Sequence, residues 1–314
     1  MNIDLSDEAL EYGATVRKAL ESAGGDQLVQ RAEDEPTARD RIVAPVLEEL
    51  GAWSLDPRGS GDELEAAAAL CRNAGYWSVA YPVAERICRP VDLGTDGLLV
   101  VADVRPAAAI GGLDLRWTAV AMSGRRSTVA ASGPVAPPRQ SAFVSDLQLA
   151  ALDDDGSGDL PVAIVLPCWT LLGALDRALD LTRDYVLERE QFGQPLASFQ
   201  GVQFQLTDAE VERTGVEELA KHALWSIQSG QDDPLGSALA LRLAAVEAAE
   251  VVFRVAHQLH GAIGFCDETT LSWLSRYSLP LRRLPFGASG TLDQLTRHLG
   301  RSGLPGLFSG AFPA

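Results

Sequence analysis

The stretch at residues 187–206 constrains the fold of this chain more than any other, because it contains a break between two helical patterns. Before it, apolar residues recur at helical spacing over residues 171–186. Pro195 then prevents simple continuation of that helix, since proline lacks a backbone N–H. After it, apolar residues recur every three to four positions over residues 199–209, and Ser198 is placed to cap this second helix. We therefore predict two helices that meet at a sharp corner.

One arginine in this stretch is placed to bind a ligand. Arg189 lies just before the corner, where its guanidinium group can leave the helix surface and hold a phosphate or carboxylate with two parallel hydrogen bonds. Taken alone, such an arginine is more often a solvated charge at the end of a helix. The residues around Arg189 decide between these two interpretations.

The run that begins at Arg189 reads Arg-x-Gln-Phe-Gly-x-Pro-Leu-x-x-Phe-Gln-x-x-Gln, and it resembles the signature of the acyl-CoA dehydrogenase family. In that family the run opens the C-terminal helical domain, and its Arg and nearby Gln contact the pyrophosphate end of an FAD held mainly by a neighbouring subunit. The resemblance implies FAD as the cofactor, contacted by Arg189 and Gln191. It also implies that Phe192 and Gly193 lie near the ADP half of that FAD.

A second segment, residues 258–265, resembles the Gln-x-x-Gly-Gly-x-Gly-Phe turn of the same family. Small residues there let the backbone approach the FAD pyrophosphate, and the side chain of Gln258 can bond to the ADP portion. Read without the first motif, the segment is an ordinary glycine-rich helix end. With it, the resemblance implies that Gln258, His260, Gly261 and Ala262 bind FAD, and Ala262 slightly crowds the place of the second glycine.

The chain of 314 residues is acidic, with a formal net charge of −17 and a pI near 4.6. This charge argues against nucleic acid or an anionic membrane as the main partner. The N-terminus shows no basic-then-apolar signal, and no apolar run approaches the roughly 18–20 residues that cross a bilayer, so we expect a cytoplasmic protein. His257 and His260 lack the acidic or cysteine partners that a metal site needs.

The predicted fold is mostly α with a small β middle domain, as in acyl-CoA dehydrogenases. Helical patterns occupy the N-terminal domain at residues 1–90, and they return in the C-terminal domain at residues 167–314, where their lengths and short connections predict a four-helix bundle. The reduced middle domain covers residues 91–166. Strands are predicted within it at residues 98–102, 117–122 and 162–166. In the bundle, helices are predicted at residues 169–190 and 199–229, and a third is predicted to begin after an Asp233 cap with Pro234 in its first position.

Three features of the family are missing from the sequence. The middle domain lacks the Thr-Glu-Pro-x-x-Gly-Ser-Asp-like loop that binds the flavin ring. Ser289 stands where most relatives carry the catalytic Glu before a Gly-Thr pair, and no acid occurs at residues 161–175, around the Ala163 position that other relatives use. Glu247, on the preceding helix, is a weak alternative as the base. The resemblance therefore leaves the catalytic carboxylate of this chain unassigned.

The retained and missing features together resemble the shorter, partner-type subunit of the heterotetrameric dehydrogenases of actinobacterial steroid side-chain degradation. The expected function is to complete the FAD site of a second acyl-CoA dehydrogenase-family subunit in an α2β2 assembly. That assembly would dehydrogenate a steroid side-chain acyl-CoA and pass electrons to an acceptor. Two alternatives remain open: a self-sufficient homo-oligomeric dehydrogenase with Glu247 as base, and a flavin-free binding or scaffold protein.

Overall fold

The computed structural model describes residues 3–134, 137–231 and 233–300, and it confirms a mostly helical fold with a small sheet in the middle of the sequence. The N-terminal helices are α1 (Asp7–Ala23), α2 (Leu28–Asp34), α3 (Arg39–Glu49), α4 (Gly61–Tyr76) and α5 (Val83–Ile87). Ser6 and Ser60 cap α1 and α4, since each hydroxyl oxygen accepts a backbone N–H from three residues on, at 3.3 and 3.2 Å.

A five-stranded sheet follows, in the order β1-β3-β4-β5-β2, with β1 parallel to β3 and the other pairs antiparallel. The strands are β1 (Gly97–Val101), β2 (Ala107–Ala108), β3 (Trp117–Ala121), β4 (Arg125–Ser132) and β5 (Ser145–Asp155), with the short helix α6 (Pro138–Ser141) before β5. The strands predicted at residues 98–102 and 117–122 correspond to β1 and β3. All five residues of β3 are buried, so this strand forms the centre of the sheet's packing.

The C-terminal part is built on three long helices. Its elements are α7 (Leu160–Glu188), β6 (Glu190–Gln191), β7 (Gln194–Pro195), α8 (Gln200–Gln228), α9 (Pro234–His260), α10 (Thr270–Tyr277), α11 (Leu279–Arg283) and α12 (Ala288–Leu299). Helix α9 packs against α7, α8 and α12, which together form the predicted bundle. The predicted cap of α9 is confirmed, because the Gly236 N–H donates to Asp233 Oδ1 at 2.8 Å.

Helices α4 and α7 approach each other closely at two glycines. A Cβ atom on Gly75 would lie 1.8 Å from the carbonyl oxygen of Thr170, and one on Gly173 would lie 1.7 Å from that of Arg72. Neither position has room for a side chain, because the added atom would collide with backbone. The N-terminal and C-terminal helices therefore share one core, with α4 packed against α7.

The strand predicted at residues 162–166 is wrong. These residues lie in α7, which begins at Leu160 and not at Trp169. Every residue from 160 to 166 is buried, so the run has no polar face, and such a pattern fits a buried helix as well as a buried strand. Helix α7 crosses the predicted boundary at 166/167, and the division into three domains stays a prediction.

The predicted cap of α8 is also wrong. Ser198 lies in a 3-10 turn, Leu196–Ser198, and Phe199 takes the N-cap position without any side-chain hydrogen bond to the helix. Because the turn ends before α8 begins, the Ser198 hydroxyl lies one residue too early to accept the first free backbone N–H groups.

The expectation that no apolar run approaches the length needed to cross a bilayer is wrong, because α7 is long and apolar enough by length and composition alone. However, 83% of its apolar window, taken within residues 157–188, is buried inside the protein. Its contacts with α4, α8 and α9 account for this burial. The apolar character of α7 is therefore that of a central core helix.

Candidate functional site

The corner between α7 and α8 is a tight hairpin made of β6 and β7. Phe192 and Gly193 form its turn, with φ angles of 53° and 78°. Both turn positions thus adopt the left-handed conformation that a two-residue type I′ hairpin requires. The Leu196 N–H closes the hairpin by donating to the carbonyl oxygen of Arg189 at 2.8 Å. The predicted sharp corner between two helices is confirmed.

This hairpin carries its predicted cofactor-binding residues on the surface. Arg189, Gln191 and Gly193 are exposed, and Phe192 is 92% exposed, with only a T-shaped ring contact to Phe199. Within the described residues, the side chain of Arg189 makes no hydrogen bond or ion pair. Its guanidinium group, which has five N–H donors, is therefore open to a ligand that carries phosphate.

The second predicted contact region lies at the end of α9. Gln258 is exposed in the last turn of the helix, and Gly261 and Ala262 are exposed in the 3-10 turn Gly261–Phe265 that follows. Gly261 has a φ of 66°, and a Cβ added there would meet no atom within 4 Å. The backbone at Gly261 is therefore open on its outer side, as an approach by a phosphate group requires.

The two regions are joined by one stacked pair of rings. Tyr185, one turn before Arg189 on α7, stacks on His260 with ring centroids 4.4 Å apart, and its hydroxyl donates to the carbonyl oxygen of His260 at 3.4 Å. The imidazole is 8% exposed, and its Nδ1 lies 2.8 Å from the carbonyl oxygen of Ala256. Burial lowers the pKa of His260, which favours the neutral ring. The ring of His260 thus joins α7 to α9. The predicted contact of this residue with FAD would therefore be made by its backbone atoms.

A cavity lies between the N-terminal helices, the sheet and α7, and most of its wall is apolar. The space inside is about 120 Å³, somewhat less than the roughly 150 Å³ of an apolar cavity that binds benzene. It therefore accommodates a group of a few carbon atoms. Its polar and titratable wall residues are Arg39, Tyr81, Glu85, Thr170, Arg242 and Tyr277.

Both segments in which the family places a catalytic carboxylate reach this cavity. Ala163 lines it from α7, and Leu284 lines it a few residues before Ser289. Ser289 itself is exposed in the first turn of α12, and Glu247 is exposed on α9; neither lines the cavity. Glu85 is the one acidic side chain that the described residues contribute to the wall.

Arg39, Glu85 and Arg242 are functional-site candidates that the sequence patterns did not indicate. Arg242 donates to the carbonyl oxygens of Leu281, Leu284 and Phe286 at 3.2, 2.5 and 2.9 Å, and so fixes the segment before α12 to α9. The signal for Glu85 is visible in the sequence: it is a single acid after the uncharged, largely apolar run at residues 79–84. A lone charge in such a run indicates a buried polar group.

Comparison with known proteins matches this fold. Residues 164–303 match the family model for the acyl-CoA dehydrogenase C-terminal domain. The chain is 26% identical over 311 residues to the acyl-CoA dehydrogenase FadE27 of Mycobacterium tuberculosis, a match that covers 93% of this chain and 75% of FadE27. The acyl-CoA dehydrogenase IpdE2 of Mycobacterium tuberculosis is 28% identical over 283 residues, which is 81% of each chain. Other matches are confined to about 100 residues, and this chain then spans only 26% of the relative's length.

Two solved structures have the same overall fold. A chain of the ChsE4–ChsE5 complex from Mycobacterium tuberculosis has a TM-score of 0.77 at 18% identity, with 100% of both chains covered. The Tcur3481–Tcur3483 steroid ACAD, in its G363A variant, has a TM-score of 0.74 at 22% identity, with 94% of this chain and 98% of that chain covered. At these identities the likeness shows the fold, which is the acyl-CoA dehydrogenase fold.

The fold places this chain in the acyl-CoA dehydrogenase class. The match to the family model shows that residues 164–303 are an acyl-CoA dehydrogenase C-terminal domain, and the similarity to FadE27 extends over 93% of this chain and 75% of FadE27. It is thus related to oxidoreductases.

The described residues fit the pyrophosphate end of an FAD molecule better than the flavin-ring end. The open guanidinium group of Arg189 and the open backbone at Gly261 suit a pyrophosphate. Residues 107–112 of the small sheet domain carry only alanine, isoleucine and glycine, whose side chains have no donors. Two carbonyl oxygens of this segment, those of Ala109 and Gly111, already accept hydrogen bonds from Arg39.

Proposed function

We propose that this chain is a subunit of a heteromeric FAD-dependent acyl-CoA dehydrogenase and that it completes the FAD site of a catalytic partner subunit. The observation that carries the proposal is the surface hairpin with an unpaired Arg189 beside an almost fully exposed Phe192. An arginine and an aromatic ring that are both open to solvent and held on a rigid turn suit a ligand shared with another chain.

A partner subunit is also supported by the apolar side chains exposed around the two motifs. Phe192 and Leu187 are 92% and 56% exposed near the hairpin, Phe204 and Val211 are 60% and 63% exposed on α8, and Phe265 is 69% exposed after α9. Large apolar side chains in such number are characteristic of surfaces that another protein covers. We propose that the covering protein is a second acyl-CoA dehydrogenase-family subunit, in an α2β2 assembly.

In the proposed reaction, a carboxylate removes the proton next to the thioester carbonyl of an acyl-CoA, and the bound FAD supplies the acceptor for the hydride from the β-carbon. The proposed roles of this chain are binding and orientation. Arg189, Gln191 and Gln258 hold the pyrophosphate and ADP end, and the backbone at Gly261 lets that end approach closely. The working carboxylate is proposed to lie on the partner, and an electron-transfer acceptor reoxidises the assembly.

The proposed substrate is a steroid side-chain CoA thioester, and the proposed location is the cytoplasm. The substrate assignment draws on the steroid dehydrogenase among the structures with this fold. The cavity of about 120 Å³ has room for a short side-chain segment of such a substrate.

The proposal is tested by purifying the chain alone and together with a co-expressed full-length acyl-CoA dehydrogenase-family subunit from the same organism. Flavin absorbance and the mass in solution are measured for both preparations. We expect FAD and a heterotetramer only in the co-expressed sample, because residues 107–112 of the middle domain offer the flavin ring no side-chain donors. A stable yellow homo-oligomer with dehydrogenase activity would refute the partner role.

A further inference from the structure

The wall of the cavity contains a buried arginine whose charge has no carboxylate in contact with it. Arg39 is 1% exposed, and it donates to the carbonyl oxygens of Ala80, Gly111 and Ala109 at 2.8, 2.5 and 3.2 Å. Its guanidinium carbon lies 3.8 Å from the centre of the Phe143 ring. Within the described residues these bonds use three of its five N–H groups, so two donors remain at the cavity wall.

Burial lowers the pKa of Arg39 to about 9, so the group keeps its charge at neutral pH. Leaving a buried cation without a hydrogen-bonded counter-charge is costly, and such groups are normally paired. Because the three carbonyl oxygens and the Phe143 ring fix the guanidinium group, its position is set before any ligand arrives. Arg39 is therefore a preorganised donor.

Glu85 supplies an acceptor on the same wall. It lies on α5, and within the described residues its carboxyl group makes no ion pair and contacts no other side chain through a hydrogen bond. Burial raises the pKa of Glu85, while a backbone N–H and the more distant charge of Arg39 act in the opposite direction. Arg39 and Glu85 thus face one cavity without being bonded to each other.

The other polar groups of the wall already have partners. The hydroxyls of Tyr81 and Tyr277 donate to Asp40 and Glu33, and the Thr170 hydroxyl donates to the carbonyl oxygen of Leu166 at 3.3 Å. Arg242 is bonded to three carbonyl oxygens of the segment before α12. The open hydrogen-bonding capacity of the cavity is therefore concentrated at Arg39 and Glu85.

From this arrangement we infer that the cavity binds an acyl group that is apolar along most of its length and carries a hydroxyl group, which accepts from Arg39 and donates to Glu85. A keto oxygen only accepts, so it would offer no donor to the Glu85 carboxyl group, and a carboxylate ligand would bring a second acid against that carboxyl group. A hydroxyl satisfies both residues at once. The inference rests on the proposed function only in calling the ligand part of an acyl group.

The test first measures ligand binding to the cavity, independently of the dehydrogenase reaction. The chain, in the assembly in which it is isolated, is titrated with three small probes of equal length: 1-hexanol, 2-hexanone and hexanoate. Thermal shift and calorimetry report the binding. We expect 1-hexanol to bind at least about tenfold more tightly than the ketone or the carboxylate, because it leaves neither buried group unsatisfied. Preferred binding of the ketone or the carboxylate, or no binding of any probe, overturns the inference.

Two variants test whether Glu85 causes the tighter binding of the alcohol. Glu85→Leu removes the acceptor and is expected to bring the alcohol and the ketone to within about threefold of each other, whereas Glu85→Gln keeps an acceptor oxygen and retains part of the preference. Glu85→Leu also takes a negative charge away from the surroundings of buried Arg39, so the variant without ligand is expected to melt somewhat lower than the wild type, and an unchanged far-UV circular dichroism spectrum with a cooperative melt shows that it folds. Glu49→Leu, at an exposed acid of α3, is the matched control and keeps the full preference. An unchanged preference in Glu85→Leu refutes the assignment.

The same comparison in the co-expressed assembly uses hexanoyl-CoA, octanoyl-CoA and their terminally hydroxylated forms. The chain length that gives the higher kcat/KM is used for the comparison. At that length we expect the hydroxylated substrate to have a higher kcat/KM than the plain one, and we expect Glu85→Leu to abolish this difference. If the assembly has no dehydrogenase activity but the hexanol preference and its loss in Glu85→Leu persist, the proposed function fails and the inferred site stands. If turnover is normal and hydroxylated substrates have no advantage, the proposed function stands and the inferred site fails.

Discussion

At the residue scale, Arg72 and Arg189 show two opposite uses of a guanidinium group. Arg72 on α4 bonds to Asp176 at 2.7 Å and to Glu217 at 2.8 Å, so it connects α4 to α7 and α8. The side chain of Arg189 contacts no partner within the described residues. The first arrangement stabilises the fold, and the second leaves all donors to a ligand.

We expect Arg189→Ala to weaken FAD retention in the co-expressed assembly by roughly 10- to 100-fold, since a charge-assisted phosphate contact is worth about 1.5–3 kcal/mol. Flavin release on dilution and the FAD dissociation constant are the measurements, with acyl-CoA binding followed in parallel. Arg183→Ala is the matched control, because Arg183 is also exposed on α7 but pairs with Asp180 and Asp184. If acyl-CoA affinity collapses while FAD occupancy stays constant, Arg189 has a different role.

Glu217 gives a prediction about acid stability. Burial alone would raise the pKa of Glu217, but the hydrogen bonds and charges of Arg72 and Arg213 outweigh burial and lower it from 4.5 to about 2. A carboxyl group whose folded pKa is lowered adds stability above its unfolded pKa, and this stability is lost as the pH falls from about 4.5 towards 2.

We therefore expect the free energy of unfolding, measured with urea, to fall between pH 6.5 and pH 3, and to fall less in Glu217→Gln. The difference is expected to be about 1–2 kcal/mol, after allowance for solvent around this half-buried group. Asp176 titrates in both proteins, so its effect largely cancels in the comparison. Parallel pH profiles for wild type and variant would contradict the assigned pKa.

The sequence predicted those site residues that belong to a long continuous motif. It did not predict the residues that are brought together only by tertiary contacts. Arg189, Gln191 and Phe192 belong to a continuous run, so their exposure on a turn followed from the pattern. Arg39 and Glu85 are 46 positions apart and line one cavity only through the tertiary packing of the chain. No local pattern encodes that proximity.

At the scale of elements, helix α7 explains both the success and the failure of the sequence interpretation. Its C-terminal half has a polar face with acids and arginines, and its end at Glu188 was located within two residues of the predicted 190. Its first seven residues are buried, and residues 162–166 among them were mistaken for a strand. Periodicity reports which face of an element is solvated, so it carries no signal for a segment without a solvated face.

Because α4 and α7 approach each other closely, one methyl group added between them is expected to lower the stability of the fold strongly. We expect Gly173→Ala to lower the free energy of unfolding by more than about 3 kcal/mol, because its Cβ would overlap the backbone of Arg72. Gly215→Ala on α8 is the control: its added Cβ meets no atom within 4 Å, and alanine is the better helix former, so stability is expected to rise by about 0.5–1 kcal/mol. Equal effects of the two changes, measured by urea unfolding, would show that α4 and α7 are not in contact at this point.

At the scale of the whole molecule, the fold class and the order of helical and sheet regions were predictable, because the helical and strand patterns extend over long segments. The arrangement of α4 against α7 was not predictable, since glycine at a helix crossing looks the same in sequence as glycine on a free face, as Gly173 and Gly215 show. The proposed position of the catalytic carboxylate is on a partner subunit, and the sequence of one chain cannot test that proposal.

The proposed assembly predicts the outcome of two substitutions in this chain. We expect Ser289→Ala to leave turnover of the assembled enzyme within about threefold of wild type, because a serine hydroxyl with no activating base cannot remove the α-proton. Glu247→Gln is expected to be equally harmless, since Glu247 is exposed on α9 and does not line the cavity. Steady-state kinetics with FAD content and assembly verified is the measurement. A loss of several thousandfold in Glu247→Gln would place the base on this subunit and favour a self-sufficient enzyme.

The glycine contact between α4 and α7 also has a consequence for protein synthesis. A ribosome that adds about 5–20 residues per second completes α4 roughly 5–20 s before Gly173 is made. During that interval the face of α4 that packs against α7 has no helix to cover it. The nascent chain therefore exposes this face to solvent, and to chaperones that bind emerging polypeptides, until α7 has left the exit tunnel.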